Sequence, residues 1–416
     1  MKLIPKAKPV RIRVSSGGRE HSTLHSLLDS FRIDDIRPLL KNGVIFKWLE
    51  QIGENRLRDR LRSEGEDLTD AELISIFFDT PDKIVEYAER AMLEHDPHAL
   101  DYLKHASDMG NPRAAYRLGC VYYFQCIEGV YADVVQAGKY FSQASGRNYP
   151  LAKLAYGSIL CSKQNYSKAF ELIDKTLDLA VDRDCRMPED RKVIALAYYA
   201  LGEIYWCGNK SVRQSSAKAI ECFLRAAESG YDKAYTRLGK IYMNSRKLND
   251  KALEYLEKAR TLMDPEGIYQ LGLLYERLER PDFEICKMFR MAAVGGWEES
   301  WFHLGFCYYY GTGIGKDINE AAKCFERALN YYCKESEAGD SFSSHHFEAD
   351  KAKELLKKCR QELETPGDVK QFSAEIKPYT LMSARDVIAV AARNGIPKSR
   401  AIELALKLNP KLRIKS

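Results

Sequence analysis

A five-residue signature, Leu-Gly-x-x-Tyr, recurs along this chain of 416 residues and restricts what it can fold into more than any other feature. It stands as LGCVY at 118, LGEIY at 201, LGKIY at 238, LGLLY at 271 and LGFCY at 304, with a degenerate YGSIL at 156. The glycines at 119, 157, 202, 239, 272 and 305 are spaced by 38, 45, 37, 33 and 33 residues. Self-similarity at a period of roughly 20–50 residues marks stacked supersecondary units. Each copy is followed by a second pattern of alanines around an aromatic or leucine pair, as in QAGKYFSQAS at 136, KAIECFLRAAESG at 218, KALEYLEKAR at 251, EICKMFRMAAVGG at 284 and EAAKCFERAL at 320. The weaker KAFELIDKTL at 168 completes the set.

Both halves have helical periodicity. In the first, Leu and Tyr four apart share one face, and the glycine leaves room for a partner helix to approach. In the second, alanines roughly seven apart make a narrow stripe against which the first helix packs. One such hairpin cannot bury its own apolar faces, so at least three must stack. The pattern therefore predicts alternating short helices over most of 82–360, with no sheet of consequence.

The pattern resembles the Sel1-like repeat, a relative of the tetratricopeptide repeat. Residues 299–331, ESWFHLGFCYYYGTGIGKDINEAAKCFERALNY, carry the resemblance most clearly, with a glycine-rich loop after the tyrosine and Asp317 before the second helix; EGVYADVVQAGKYF at 128–141 shares the loop. NSRKLND and ERLERPD have lost the loop glycines, and the insertion DRDCRMPED at 182–190 disturbs the register between Gly157 and Gly202. The resemblance implies an all-α, right-handed α-solenoid with flanking helical modules, presenting a concave surface lined by the first helix of each repeat. It also implies a scaffold or adaptor that takes a protein or peptide partner in that groove. By the same geometry, Tyr116, Tyr199, Thr236, Tyr269 and Phe302, two residues before each Leu-Gly pair, are expected to pack. Tyr123, Trp206, Met243, Glu276 and Tyr309, one residue after each tyrosine, point inward at more variable positions. From these, Tyr123, Trp206, Met243 and Tyr309 are candidate partner contacts, with Glu203 and Lys240 placed to orient a ligand. The alternative role for Trp206 and Tyr309 is to fill gaps between adjacent repeats.

Charge divides the chain further. Residues 1–20 carry Lys2, Lys6, Lys8, Arg11, Arg13 and Arg19 against Glu20, a net of +5, and residues 366–416 carry a net of +6, which leaves the body mildly acidic under an overall +5. The expected organisation is a basic disordered segment at 1–21, a helical domain at 22–95, the repeat solenoid at 96–331, a capping helix region at 332–365 and a basic helical tail at 366–416. In the second of these, NRLRDRLR (Arg56, Arg58, Arg60, Arg62) reads as a solvated helix face or a basic partner site. In the last, Ser383 caps one short helix, Asn394-Gly395 ends it and Pro410 stops a second. The basic ends offer a second functional class, a nucleic-acid-associated regulator gripping phosphates.

Signatures of chemistry are missing. GTGIGKD at 311–317 fails as a phosphate loop, since Tyr310 and Asp317 stand where Gly and Ser or Thr belong. His345-His346 beside Glu348 and Asp350 is a weak metal candidate in a polar stretch. No enzymatic activity, cofactor or metal is expected. The eleven cysteines contain no CxxC pair and are expected to be free core thiols in a reducing compartment. The start, MKLIPKAKPVRIRV, lacks a secretory apolar stretch, and the longest apolar run, Val193 to Gly202, is too short to span a bilayer. A cytoplasmic location without membrane insertion follows as the expectation.

Overall fold

Proline and short polar side chains decide where the repeat helices begin. Pro112, Pro150, Pro188 and Pro265 each stand in the first turn of a hairpin's first helix, where the absent N–H has no helical partner to lose. Asn111 Oδ1 accepts from the backbone N–H of Arg113 and Ala114, and Asp264 Oδ2 from that of Gly267. Asp133 and Ser215 cap second helices in the same way. The computed structural model describes residues 12–64, 68–181, 185, 187–337, 345–364, 374–378, 381–396 and 398–415. They divide into two compact units, 1–231 and 232–416, and the division falls inside the repeat array.

The first unit opens with an antiparallel hairpin, β1 (Val14–Ser16) and β2 (Arg19–His21), turned on Gly17 and Gly18 at positive φ. Five helices follow: α1 (Leu24–Asp29), α2 (Ile33–Lys41), α3 (Val44–Ile52), α4 (Asn55–Glu64) and α5 (Asp70–Phe77). Helices α6 (Pro81–Leu93) and α7 (Ala99–Asp108) pair ahead of the array. Gly43 and Gly53 end turns in the left-handed region and Thr80 caps α6, as the sequence breaks at these places predict. The expected disorder of 1–21 is corrected for 12–21: Val14 is fully buried in the core with Leu27 and Trp48, and Gly17 N–H donates to Asp35 at 2.8 Å. Residues 1–11 lie outside the described residues. Three hairpins complete the unit: α8 (Pro112–Phe124) with α9 (Val134–Gly146), α10 (Pro150–Ser162) with α11 (Tyr166–Val181), and α12 (Pro188–Cys207) with α13 (Ser216–Glu228).

The second unit holds α14 (Lys233–Met243) with α15 (Asn249–Thr261), α16 (Pro265–Arg277) with α17 (Asp282–Val294), and α18 (Ser300–Tyr310) with α19 (Ile318–Glu337). Helix α20 (His345–Glu364) packs along α19, burying Ala352, Leu355 and Cys359 against Phe325 and Tyr332. A C-terminal module has its own core around Ile376, Val387, Ile396 and Leu412. Its helices α21 (Ala384–Arg393) and α22 (Lys398–Leu408) are joined by a short parallel pair, β3 (Leu381–Ser383) with β4 (Arg413–Lys415). Ser383 Oγ accepts from the Asp386 N–H at 3.1 Å, the predicted cap. The pairing of β3 and β4 joins stretches thirty residues apart and has no local signature. Among the described residues no helix is long and apolar enough to cross a membrane.

One contact repeats in every hairpin. A Cβ built on Gly202, Gly272 or Gly305 would stand 2.7, 2.8 and 2.7 Å from the rings of Phe223, Phe289 and Phe325 on the following helix, and one on Gly119 would overlap Phe141. Leu256 and Ile173 take the ring's place against Gly239 and Gly157, at 2.5 and 2.7 Å. The glycine therefore admits a side chain, which is then buried completely or nearly so. One cysteine expectation is corrected here. Cys286 of α17 and Cys307 of α18, both buried core positions with Cα atoms 6.2 Å apart, are joined as a disulfide, because successive helices bring two small core residues face to face. Cys120, Cys126, Cys161, Cys207, Cys222, Cys324 and Cys333 keep free thiols, as expected.

The glycine contact makes a double-mutant prediction. Gly272→Ala, despite a gain in helix propensity, is expected to lower the denaturant midpoint, at a cost of about 1–3 kcal/mol from overpacking against Phe289, and Gly272→Leu to cost more. In a Phe289→Ala background the same Gly272→Ala change is expected to be neutral or stabilising by up to about 1 kcal/mol, since only propensity remains. Equal effects of Gly272→Ala in both backgrounds would refute the contact.

Candidate functional site

In each unit the face formed by its own first helices is the candidate site, and its composition is set by register from the Leu-Gly pair. Two residues before that pair, Tyr116, Thr236, Tyr269 and Phe302 are buried, and Tyr199 packs on Phe223 and Tyr231 at 5.3 and 4.8 Å. These are packing positions, as expected.

The positions one residue after the tyrosine diverge. Tyr123 of α8 is half-buried, edge-on to Phe124 at 4.9 Å and tilted on Phe141 at 6.3 Å, so it packs within its own hairpin; burial pushes its hydroxyl pKa upward. Met243 is only 9 % exposed and serves the core of α14, where its carbonyl accepts from Arg277. Trp206 ends α12 half-buried, and its carbonyl accepts from Gln214 Nε2 at 2.8 Å, which ties the following loop to the helix end. Glu203 lies one turn earlier on the same helix. Tyr309 is half-buried, with the Lys316 ammonium 5.6 Å above its ring and Tyr310 edge-on at 5.0 Å; Tyr310 itself is 60 % exposed.

Lys240, expected to orient a ligand, is committed elsewhere. Its Nζ donates to Glu266 Oε1 at 2.7 Å, which links α14 to α16. Thr236 donates to Asp264 across the same two helices. Between α16 and α18, His303 meets the Tyr269 hydroxyl at 3.3 Å and Glu276 at 3.9 Å, and its ring stacks on Phe289 at 4.6 Å. Successive first helices of the second unit are thus held by polar struts at positions where a binding face would be read. Of the six residues nominated from sequence, Tyr123, Glu203 and Trp206 belong to the first unit and Lys240, Met243 and Tyr309 to the second. Trp206 and Tyr309 are both half-buried.

Sequence reasoning missed one element altogether. The insertion at 182–190 contributes the first turn of α12, which lengthens that helix to 20 residues; residues 182–184 and 186 lie outside the described residues. This extension reaches back to α8. Asp190, 1 % exposed, accepts from Arg117 Nη2 at 3.0 Å and Nη1 at 2.5 Å and from the Tyr116 hydroxyl at 2.9 Å. Arg117, 2 % exposed, also donates from Nε to Glu89 of α6 at 2.6 Å, and Arg113 pairs with the same carboxylate. Lys192 sits 5.5 Å over the Phe124 ring. Two arginines and two carboxylates form a quartet on the first-helix face in which Arg117, Glu89 and Asp190 are buried and Arg113 is half-buried, with Glu86 3.8 Å from it. The one signal in the sequence is the Pro-Glu-Asp start at 188–190, a helix N-terminus placed before the expected register. Among the described residues no group of three or more His, Cys, Asp and Glu is gathered for a metal; the side chains of His345 and His346 lie outside the described residues.

Known proteins share this architecture. A family model described as Sel1 repeat matches residues 112–149, 151–179, 195–231, 232–262 and 302–330. The copy around Gly272 lies outside those stretches yet keeps the same glycine–phenylalanine contact. The fold matches the crystal structure of a protective antigen of uropathogenic Escherichia coli displaying an SLR fold, with TM-score 0.51, 20% identity, and coverage of 81% of this chain and 77% of that one. An uncharacterized protein of Neisseria meningitidis serogroup B is 27% identical over 263 residues, 58% of this chain and 53% of its own length. The DAP3-binding cell death enhancer 1 of Rattus norvegicus is 33% identical over 79 residues, 19% and 16% of the two chains. An ERAD-associated E3 ubiquitin-protein ligase component of Arabidopsis thaliana is 26% identical over 215 residues, 42% and 35%. The chain thus spans about half or less of the length of these curated relatives.

The quartet yields a stability prediction. Asp190→Ala leaves Arg117 buried without its main partner and is expected to cost about 3–5 kcal/mol, read as a drop in the denaturant midpoint. Glu221→Ala, which breaks the exposed pair with Arg225, is expected to change stability by less than about 1 kcal/mol. Similar small effects of the two changes would mean that the quartet does not hold α12 to α8.

Proposed function

Five stretches of this chain match the Sel1 repeat, and from that premise we propose that it is a protein-interaction scaffold holding a segment of a protein partner on the faces of its first helices. Sel1 repeat proteins generally act as protein-interaction scaffolds. Two of the relatives carry protein association in their names, one as DAP3-binding and one as a component of an E3 ubiquitin-protein ligase. The single observation that carries the reading is the partial exposure of large aromatics at the ends of first helices, Trp206 in the first unit and Tyr309 beside the exposed Tyr310 in the second. Aromatic side chains lose little conformational entropy on docking and dominate interface energetics. Lys316 over Tyr309 adds a cation beside the second anchor, suited to an acidic or carbonyl-rich segment.

The test compares proteins captured from the native cell by the wild type and its variants, followed by affinity measurement with each identified partner. Alanine at Trp206 or Tyr309 is expected to weaken capture by about 2 kcal/mol or more, as anchor aromatics do. The melting temperature is expected to fall less than for the core change Leu238→Ala, for which about 2–5 kcal/mol is typical. Removing residues 1–11 and 366–416 is expected to leave capture intact; the cut stops at 11 because Val14 and Ser16 are buried. If trimming the ends abolishes capture while the aromatic variants bind normally, the first-helix faces are not the site.

A further inference from the structure

The basic run NRLRDRLR resolves into two kinds of arginine. Arg58, mostly buried, pairs with Asp59 at 2.7 Å and Glu50 at 3.6 Å, and the exposed Arg60 with Glu64 at 3.0 Å, so both are ion-paired. Arg62, one turn after Arg58 on the same side of α4, lies 5.2 Å over the Phe46 ring. It stands at the mouth of a cavity of about 160 Å³ between α2, α3, α4 and the start of α5, floored by Leu40, Leu61, Leu68 and Leu73. Arg37 forms one wall and is itself neutralised, its Nε donating to Asp70 Oδ1 at 2.5 Å and its Nη2 to the Leu68 carbonyl at 2.8 Å. Lys41, at the last turn of α2, completes the rim. Among the described residues no carboxylate pairs with Lys41 or Arg62, and both side chains are exposed.

We propose that this cavity is a docking site for an acidic segment of a partner protein, which seats one apolar or aromatic side chain on the leucine floor and sets flanking Asp or Glu against Lys41 and Arg62. Size selects the anchor: an apolar cavity of about 150 Å³ accepts a benzene ring, whereas small-molecule pockets run from about 300 Å³ upward. Charge selects the flanks, because two exposed cations with no carboxylate partner among the described residues, beside an apolar floor, attract an anion whose adjoining body is greasy. The site lies in the N-terminal helical region, away from the repeat helices, and stands independently of whether the first-helix faces bind.

The probe is a fluorescein-labelled peptide with one tryptophan flanked on each side by two glutamates, titrated by fluorescence anisotropy against the full chain. Saturable binding is expected, weakened about tenfold or more when alanine replaces the tryptophan or when Lys41→Glu and Arg62→Glu are combined. Lys139→Glu with Lys163→Glu, an equal charge change at exposed positions on the repeat helices, is expected to leave binding unchanged. All four substituted residues are exposed, and far-ultraviolet circular dichroism melts check that each variant folds. Equal weakening by both double variants means nonspecific attraction to a basic surface and overturns the proposal. So does equal binding of the alanine peptide, or the absence of saturation up to about 1 mM.

Discussion

Every hairpin in this chain closes on a missing side chain. At one position of the first helix there is no Cβ, and the following helix fills that space with a phenylalanine ring, or with Leu256 or Ile173. The ring gains full burial, worth about 1.5–3 kcal/mol for a large apolar side chain. The helix accepts the roughly 1 kcal/mol propensity cost of an internal glycine in return. The exchange fixes how deeply the two helices interlock. That depth fixes the register by which Tyr116, Tyr269 and Phe302 are buried while Trp206 and Tyr309 are left at the rim. A change at the glycine is therefore felt wherever that register is used.

The fold was legible because this contact is local and repeated: both partners lie within about one period, and the Leu-Gly-x-x-Tyr string names one of them. Caps and turns at Thr80, Ser383, Gly43 and Gly53 were legible for the same reason, each being decided by its neighbours in sequence. What escaped depends on distant residues. Asp190 meets Arg117 across 73 positions, and nothing near either residue names the other. The β3–β4 pairing and the burial of Val14 are likewise non-local. The Cys286–Cys307 disulfide escaped because a small core residue and a bonded cysteine have the same sequence appearance, and with it goes part of the argument for a reducing compartment. For the candidate face, periodicity identified which residues share a side of a helix. It carried no information on which of them, such as Lys240 and Glu276, are already engaged by the neighbouring repeat.

Those engagements bear on recognition. Lys240–Glu266 and the His303 contacts with Tyr269 and Glu276 occupy polar groups on the second unit's first helices that would otherwise attract ligands. On the proposed reading, discrimination among partners falls to shape and to a small number of aromatic surfaces. Solvent-accessible pairs of this kind contribute little stability singly, and their effect is on orientation between repeats.

In an ideal repeat array each unit touches only its neighbours, so segments melt and refold almost independently, as in a one-dimensional chain of coupled elements. The quartet of Arg113, Arg117, Glu89 and Asp190 breaks that description in the first unit. Glu89 belongs to a helix before the array and Asp190 to its third hairpin, and Arg117 holds both. Opening the middle hairpin leaves this clasp closed around a loop, and opening the clasp exposes two arginines and two carboxylates together. In the first unit α6, α8 and α12 are thereby coupled beyond nearest neighbours. Its folding must wait for a long-range closure that an unmodified array never has to make.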